Sequence, residues 1–205
     1  MNRTDADAGA SQDVLFHVAV PALAIGHVLS PYAFAQRSLD LLQQADRALE
    51  VGGGDAVAEL VAGAAWTRLQ DSGGYPVEMI LLEAVFERVR RQATPDLPSR
   101  FGAVFAWRTL ALANRYQVAY HPTGVIHSCR LVAGRRVERD GALLVEVFEH
   151  ADLKHPQGAD LRWVEEQAQR YWRGQHPMTF PEVLVHGTVV VEGIVEVSVD
   201  PQGGA

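Results

Sequence analysis

Eight histidines, one cysteine and one late carboxylate hold most of the chemistry this sequence could offer. The histidines stand at positions 17, 27, 121, 127, 150, 155, 176 and 186. None belongs to a His-Glu-x-x-His pair, and His150 and His155 are spaced wrongly for one helical face. Scattered surface and core histidines are the simpler reading, and no metal site is expected. Cys129 lies in an apolar, strand-like run and reads as buried filler. There is no Gly-x-Ser-x-Gly elbow. Gly52-Gly53-Gly54 lacks the Lys-Ser/Thr of a phosphate loop and has no strong strand before it, so it reads as a helix stop. Arg88, Arg90, Arg91 and Arg100 cluster in sequence, as either a phosphate track or a solvated helix face. What remains is Glu182, which opens Val183-Leu184-Val185, a turn-like His186-Gly187-Thr188 and a second aliphatic run from Val189. On composition alone it is an exposed residue at a strand start.

The elements that must position these groups follow from periodicity. Val14 to Val20 reads as a buried strand stopped by Pro21, and Leu23 to Leu29 as a turn into a short extended piece. Leu39 to Leu49 is a helix ending at the triple glycine. Ala56 to Leu69 and Val77 to Val89 are two more. The last shows Met79, Leu82, Val85, Phe86 and Val89 on one face, with Glu83, Glu87, Arg90 and Arg91 elsewhere. Pro95 and Pro98 follow it. Arg100 to Trp107 reads as a strand, and Thr109 to Tyr116 as a helix. Gly124 to Val132 and Ala142 to Phe148 read as strands around a turn at Ala133-Gly134-Arg135-Arg136. Asp160 to Trp172 is a helix, and Pro181 to Val199 makes two closely spaced strands.

Composition sets the frame. The chain has 205 residues, 48% of them hydrophobic, and a single cysteine. It can build a core without disulfides, and the α+β order of its elements suits one domain. A net charge of −7 gives no overall basic field for nucleic acid. The apolar stretch Val14–Leu29 is broken by His17, Pro21, Gly26 and His27, too soon for a membrane helix. The N-terminus is acidic where an export signal would be basic, so a cytoplasmic protein is expected. Residues 1–13 read as a flexible lead and 200–205 as a tail.

Glu182 to Val197 resembles the ending of bacterial ADP-ribosyltransferases, where Glu-(Val/Ile)-Leu-Val precedes a last Ile/Val-rich strand. Phe16-His17-Val18 and Leu23-Ala24-Ile25-Gly26 are similar to the opening of the histidine-type branch. Rifamycin ADP-ribosyltransferases and DNA-targeting toxins belong there. Val104 to Ala113 resembles the strand and helix after the nicotinamide pocket, with Ala106-Trp107 replacing the usual aromatic and hydroxyl pair. The chain also resembles an uncharacterised bacterial family sharing Glu-x-x-Arg, a proline pair, Pro-Ser-Arg, Tyr-Trp-x-Gly and a Glu-Leu-Val ending. Here these are Glu87 to Arg90, Pro95, Pro98-Ser99-Arg100, Tyr171 to Gly174 and Glu182 to Val185.

The resemblance implies two small antiparallel sheets around an NAD cleft in a single domain at 14–199, with a helical insertion at about 36–95. It implies cleavage of NAD with transfer of ADP-ribose to a protein, a nucleic acid or a small molecule. A toxin or anti-phage effector fits that branch, with an antitoxin or other protein as a further partner. The leaving nicotinamide is already cationic, so the enzyme must orient the ribose and stabilise an oxocarbenium-like state rather than supply a proton. By resemblance Glu182 is that carboxylate, and His17 holds the adenosine-side ribose. Arg100 is the candidate for the phosphates, and Phe105 or Trp107 for the nicotinamide face. The competing expectation is a non-catalytic binding module on the same fold.

Overall fold

The computed structural model describes residues 14–29, 34–63, 77–153, 155, 159–174 and 177–196. The lead at 1–13, the tail at 200–205 and the end of the helix expected at Ala56 to Leu69 lie outside them. In chain order come β1 (Val14–Ala19), β2 (Val28–Leu29), α1 (Phe34–Val61) and α2 (Val77–Ala93). A 3-10 turn at Arg100–Gly102 leads into β3 (Val104–Ala106) and α3 (Leu110–Tyr120). Then follow β4 (Val125–Asp140), α4 (Ala142–His150), α5 (Leu161–Arg173) and β5 (Pro181–Val195).

The α+β class holds. The described strands form one five-stranded sheet in the order β1-β4-β5-β2, with β3 also paired to β5. That differs from the two small sheets expected, because β4 and β5 are continuous strands of 16 and 15 residues. The turns expected at Ala133–Arg136 and His186–Thr188 do not interrupt them. Gly187 explains why. A Cβ there would lie 2.0 Å from the Ala133 carbonyl oxygen and 2.7 Å from Gly134 Cα. Only glycine admits so close a backbone approach, so Gly187 lets the strands run on where the sequence suggests a stop.

Two further expectations change, while the break at the triple glycine holds. Within the span of α1, Gly53 leaves helical geometry, with φ 59° and ψ −139°, and separates two helical stretches across a kink. Ala142 to Phe148 is helix rather than strand: Leu143, Leu144 and Val147 are buried, which is helical spacing, and Asp140 Oδ1 accepts from Ala142 N at 3.1 Å. Short apolar runs look alike in either state. The strand expected from Arg100 begins as a 3-10 turn, because Ser99 Oγ accepts from Phe101 N at 3.2 Å.

The chain divides into two compact units. The first draws on Met1–Leu29, Ala106–Gly134 and Gly187–Ala205. In it β1 pairs antiparallel with β4, Val14 opposite Arg130 through Ala19 opposite Val125. Val18, Trp107, Ala113 and Ile126 form its small core, with Phe16 and Tyr116 packed against them. The second draws on Ser30–Phe105 and Arg135–His186. There α2 packs against α1, α4 and α5, and every residue from Ile80 to Phe86 is buried. α5 starts at Asp160, whose carboxylate accepts from Trp163 N, and ends at Gly174 in the left-handed region. Its stripe Val164, Ala168, Tyr171, Trp172 faces the core, and Trp172 Nε1 donates to the Phe86 carbonyl at 2.7 Å.

Candidate functional site

In the second unit, α2, the 3-10 turn, α5 and β5 each supply one side chain to a buried polar cluster. Arg100 is its centre. Its Nε donates to both oxygens of Glu83, at 3.1 and 3.0 Å, and Nη2 donates to Glu83 Oε1 at 3.1 Å. Nη1 donates to the Tyr171 hydroxyl at 2.5 Å and, very closely, to Glu182 Oε1. The Tyr171 hydroxyl donates in turn to the same Glu182 oxygen at 2.5 Å. The guanidinium carbon lies 4.8 Å from the centre of the Phe105 ring, within cation–π range.

The local sequence builds this cluster. Ser99 Oγ donates to Glu87 Oε2 at 2.9 Å while accepting from Phe101 N, which winds the turn carrying Arg100. Arg90 grips Glu87 with two bonds and the carbonyls of Pro95 and Leu97 with a third nitrogen, fixing the proline-rich link. His186 Nε2 lies 2.9 Å from the Ser99 carbonyl, and its ring fills the space a Cβ on Gly102 would need. The motifs Glu87 to Arg90, Pro98-Ser99-Arg100, Tyr171-Trp172 and Glu182 therefore meet in one assembly.

Its electrostatics are crowded. One guanidinium faces two carboxylates. Burial pushes the Glu83 carboxyl above its ordinary range, although Arg100 pulls the other way. Burial works against the Arg100 charge, but Glu182, Glu83 and Tyr171 outweigh it and raise its pKa. Burial drives the Tyr171 hydroxyl well above its ordinary value, so it stays a donor at neutral pH.

Glu182 is anchored through one oxygen. Oε1 takes both bonds, while Oε2 has no hydrogen bond among the described residues. Oε2 stands by Gly141 at the head of α4, where an added Cβ would be 3.5 Å from it. The residue is 8% exposed rather than the exposed strand-start group that composition alone suggests.

Of the five residues singled out in the sequence, Arg100, Phe105 and Glu182 are brought together in the second unit. His17 and Trp107 belong to the first. His17 stands on β1 opposite His127, whose buried ring accepts from Leu23 N at 3.0 Å through Nε2. Burial lowers the pKa of His127. Trp107 exchanges backbone bonds with Phe16 and lays its ring 4.2 Å from that of Tyr116, leaving the residue 2% exposed. Arg90 and Arg91 are tied to Glu87 and Asp46, so the arginine run is not a bare phosphate track.

From the sequence, neither Glu83 nor Tyr171 is assigned to the site, although Tyr171 opens one of the short motifs. Helical spacing sets Glu83 away from the apolar face of its helix, yet Glu83 is 7% exposed. Its signal was available: a carboxylate flanked by Ile80-Leu81-Leu82 and Ala84-Val85-Phe86 leaves no polar side for it to face. Among the described residues no group of three or more His, Cys, Asp or Glu is placed to hold a metal. No described helix is long and apolar enough to cross a membrane.

An α+β chain with this cluster matches, over residues 66–197, a family described as a protein of unknown function, DUF2441. The chain belongs to that family. The match takes in Glu83, Arg100, Tyr171 and Glu182 and leaves β1, with His17, outside it. No curated protein matches the chain.

Proposed function

We propose that this chain is an NAD-dependent ADP-ribosyltransferase in which Glu182 orients the nicotinamide-side ribose. The observation that carries the reading is the one-sided anchoring of that carboxylate: Arg100 and Tyr171 fix Oε1, and Oε2 is left to accept from a sugar hydroxyl. A carboxylate so held keeps its orientation while charge develops on the ribose. In the reaction the bond from C1′ to the nicotinamide nitrogen breaks and its electron pair neutralises the pyridinium. The acceptor forms the new bond to C1′ and releases its proton. The acceptor class stays open among protein, nucleic acid and small molecule, and the resemblance favours a toxin or anti-phage role. His17 enters on the resemblance alone.

One observation favours the competing reading, a non-catalytic binding module: Arg100 spends its charge on two carboxylates, as it would in a purely structural cluster. The two separate on nicotinamide release. Incubation with NAD and a bacterial lysate should liberate nicotinamide and leave ADP-ribose adducts visible by mass spectrometry, and Glu182→Gln should abolish both with the fold intact. NAD binding without nicotinamide release would favour the module. Undiminished release by Glu182→Gln would sink the assignment.

A further inference from the structure

Arg139, near the end of β4, is a half-buried cation of the second unit that the cluster around Arg100 does not use. Its Nη1 donates to the Glu138 carbonyl at 2.5 Å, while its Nε is buried with no hydrogen-bond partner. No carboxylate pairs with it among the described residues. Its guanidinium lies against Gly174 at the end of α5, where an added Cβ would come 3.1 Å from Nη1. Gly174, with φ 65°, both closes the helix and leaves room for that group. The helix terminus offers roughly half a negative charge, yet no acceptor reaches Nε. Burial lowers the pKa of Arg139, and the nearby Tyr171 opposes that shift. A half-buried guanidinium without an anion is costly to keep, whereas its planar donors suit a phosphate.

We infer that Arg139 is an anion-binding side chain that takes a phosphate group, and that in the reaction proposed above it holds the diphosphate of NAD. The division of labour follows from charge. Arg100 is committed to Glu83 and Glu182 and orients a carboxylate, whereas Arg139 keeps a buried Nε with no acceptor, the donor a phosphate would satisfy. This assignment rests on the NAD reading for the identity of its ligand, but not for its chemistry.

Titration calorimetry of the full chain with NAD and, separately, with inorganic pyrophosphate tests it. Arg139→Ala should weaken both about 10- to 100-fold, the loss of one or two charge-assisted hydrogen bonds. Arg139→Lys, which keeps the charge and serves if the alanine variant misfolds, should retain part of the affinity. Pyrophosphate binding sensitive to Arg139 without any NAD binding would support the anion site and remove the NAD reading. NAD binding that is equal in wild type and both variants would overturn the Arg139 assignment and leave the NAD reading standing. No binding of either probe by the wild type would overturn both.

Discussion

Replacing Glu83 probes the buried cluster most directly. Glu83 receives three donor contacts from Arg100, two on Oε1 and one on Oε2. Glu83→Leu removes all three and leaves one guanidinium with Glu182 and the Tyr171 hydroxyl. Breaking a buried ion pair from one side costs about 3–5 kcal/mol, and Glu182 still compensates part of the charge, so the lower end, about 3 kcal/mol, is expected. Glu83→Gln keeps the acceptor at Oε1 and exchanges the other oxygen for an amide. Loss of one hydrogen bond to a charged group predicts about 2 kcal/mol. Urea unfolding followed by tryptophan fluorescence suits the measurement, because the indole of Trp172 bonds to Phe86 on the same helix as Glu83. The carboxyl raised by burial also binds its proton more tightly in the folded state. Its contribution is therefore full below the ordinary value of 4.5 and declines as pH rises through the raised folded value. Glu83→Gln should flatten that decline. A loss under about 1 kcal/mol for Glu83→Leu, against the 3 expected, would refute the reasoning, as would an unchanged pH slope for Glu83→Gln.

Two other expectations concern the first unit. Gly187→Ala puts a methyl 2.0 Å from the Ala133 carbonyl oxygen and should destabilise by about 3 kcal/mol or more, the range of backbone and overpacking defects. A melting temperature within a degree or two of wild type, against the several degrees that loss implies for a chain this size, would show that β4 and β5 separate freely there. Burial pushes the Cys129 thiol up to about 12, so the native protein at about pH 8 holds almost no thiolate. Iodoacetamide should label it in urea and leave it unlabelled in buffer, as read by intact mass. Rapid labelling in buffer would contradict the burial of that strand.

The parts of the fold written in local pattern were legible. β1, α2 and α5 each carry their signal in a few adjacent residues: a β-branched run stopped by Pro21, an apolar face from Met79 to Val89, and a capped stripe from Asp160 to Trp172. Where a distant partner decides the conformation, the same reasoning failed. Gly134 and Gly187 look like turn residues, and become strand because Gly187 makes room for the backbone at Ala133 and Gly134, while Gly134 adopts φ 122°. The Ala142 run is rich in valine, yet Asp140 and the buried Leu143, Leu144 and Val147 make it helix. The site divided in the same way. Glu87, Arg90, Arg100, Tyr171 and Glu182 drew notice as ordered short motifs, but a motif does not state its partners. Arg100 meets Tyr171 and Glu182 across 71 and 82 residues. Only the folded chain discloses that the arginine reserved for phosphates is held by carboxylates.

The pairing of β1 with β4 has a practical side. Residues Val14 to Ala19 cover Arg130 to Val125 along one border of the sheet, and β2 covers Val189 and Val190 of β5. A fragment cut at the limits of the family match, 66–197, would discard both covering strands. Its sheet would then carry two uncapped borders with free N–H and C=O groups, ready templates for strand addition between copies. Such a fragment would tend to self-associate even with its buried cluster complete, and expression of the family region would need the N-terminal strands supplied, attached or as a separate peptide, to keep those borders paired.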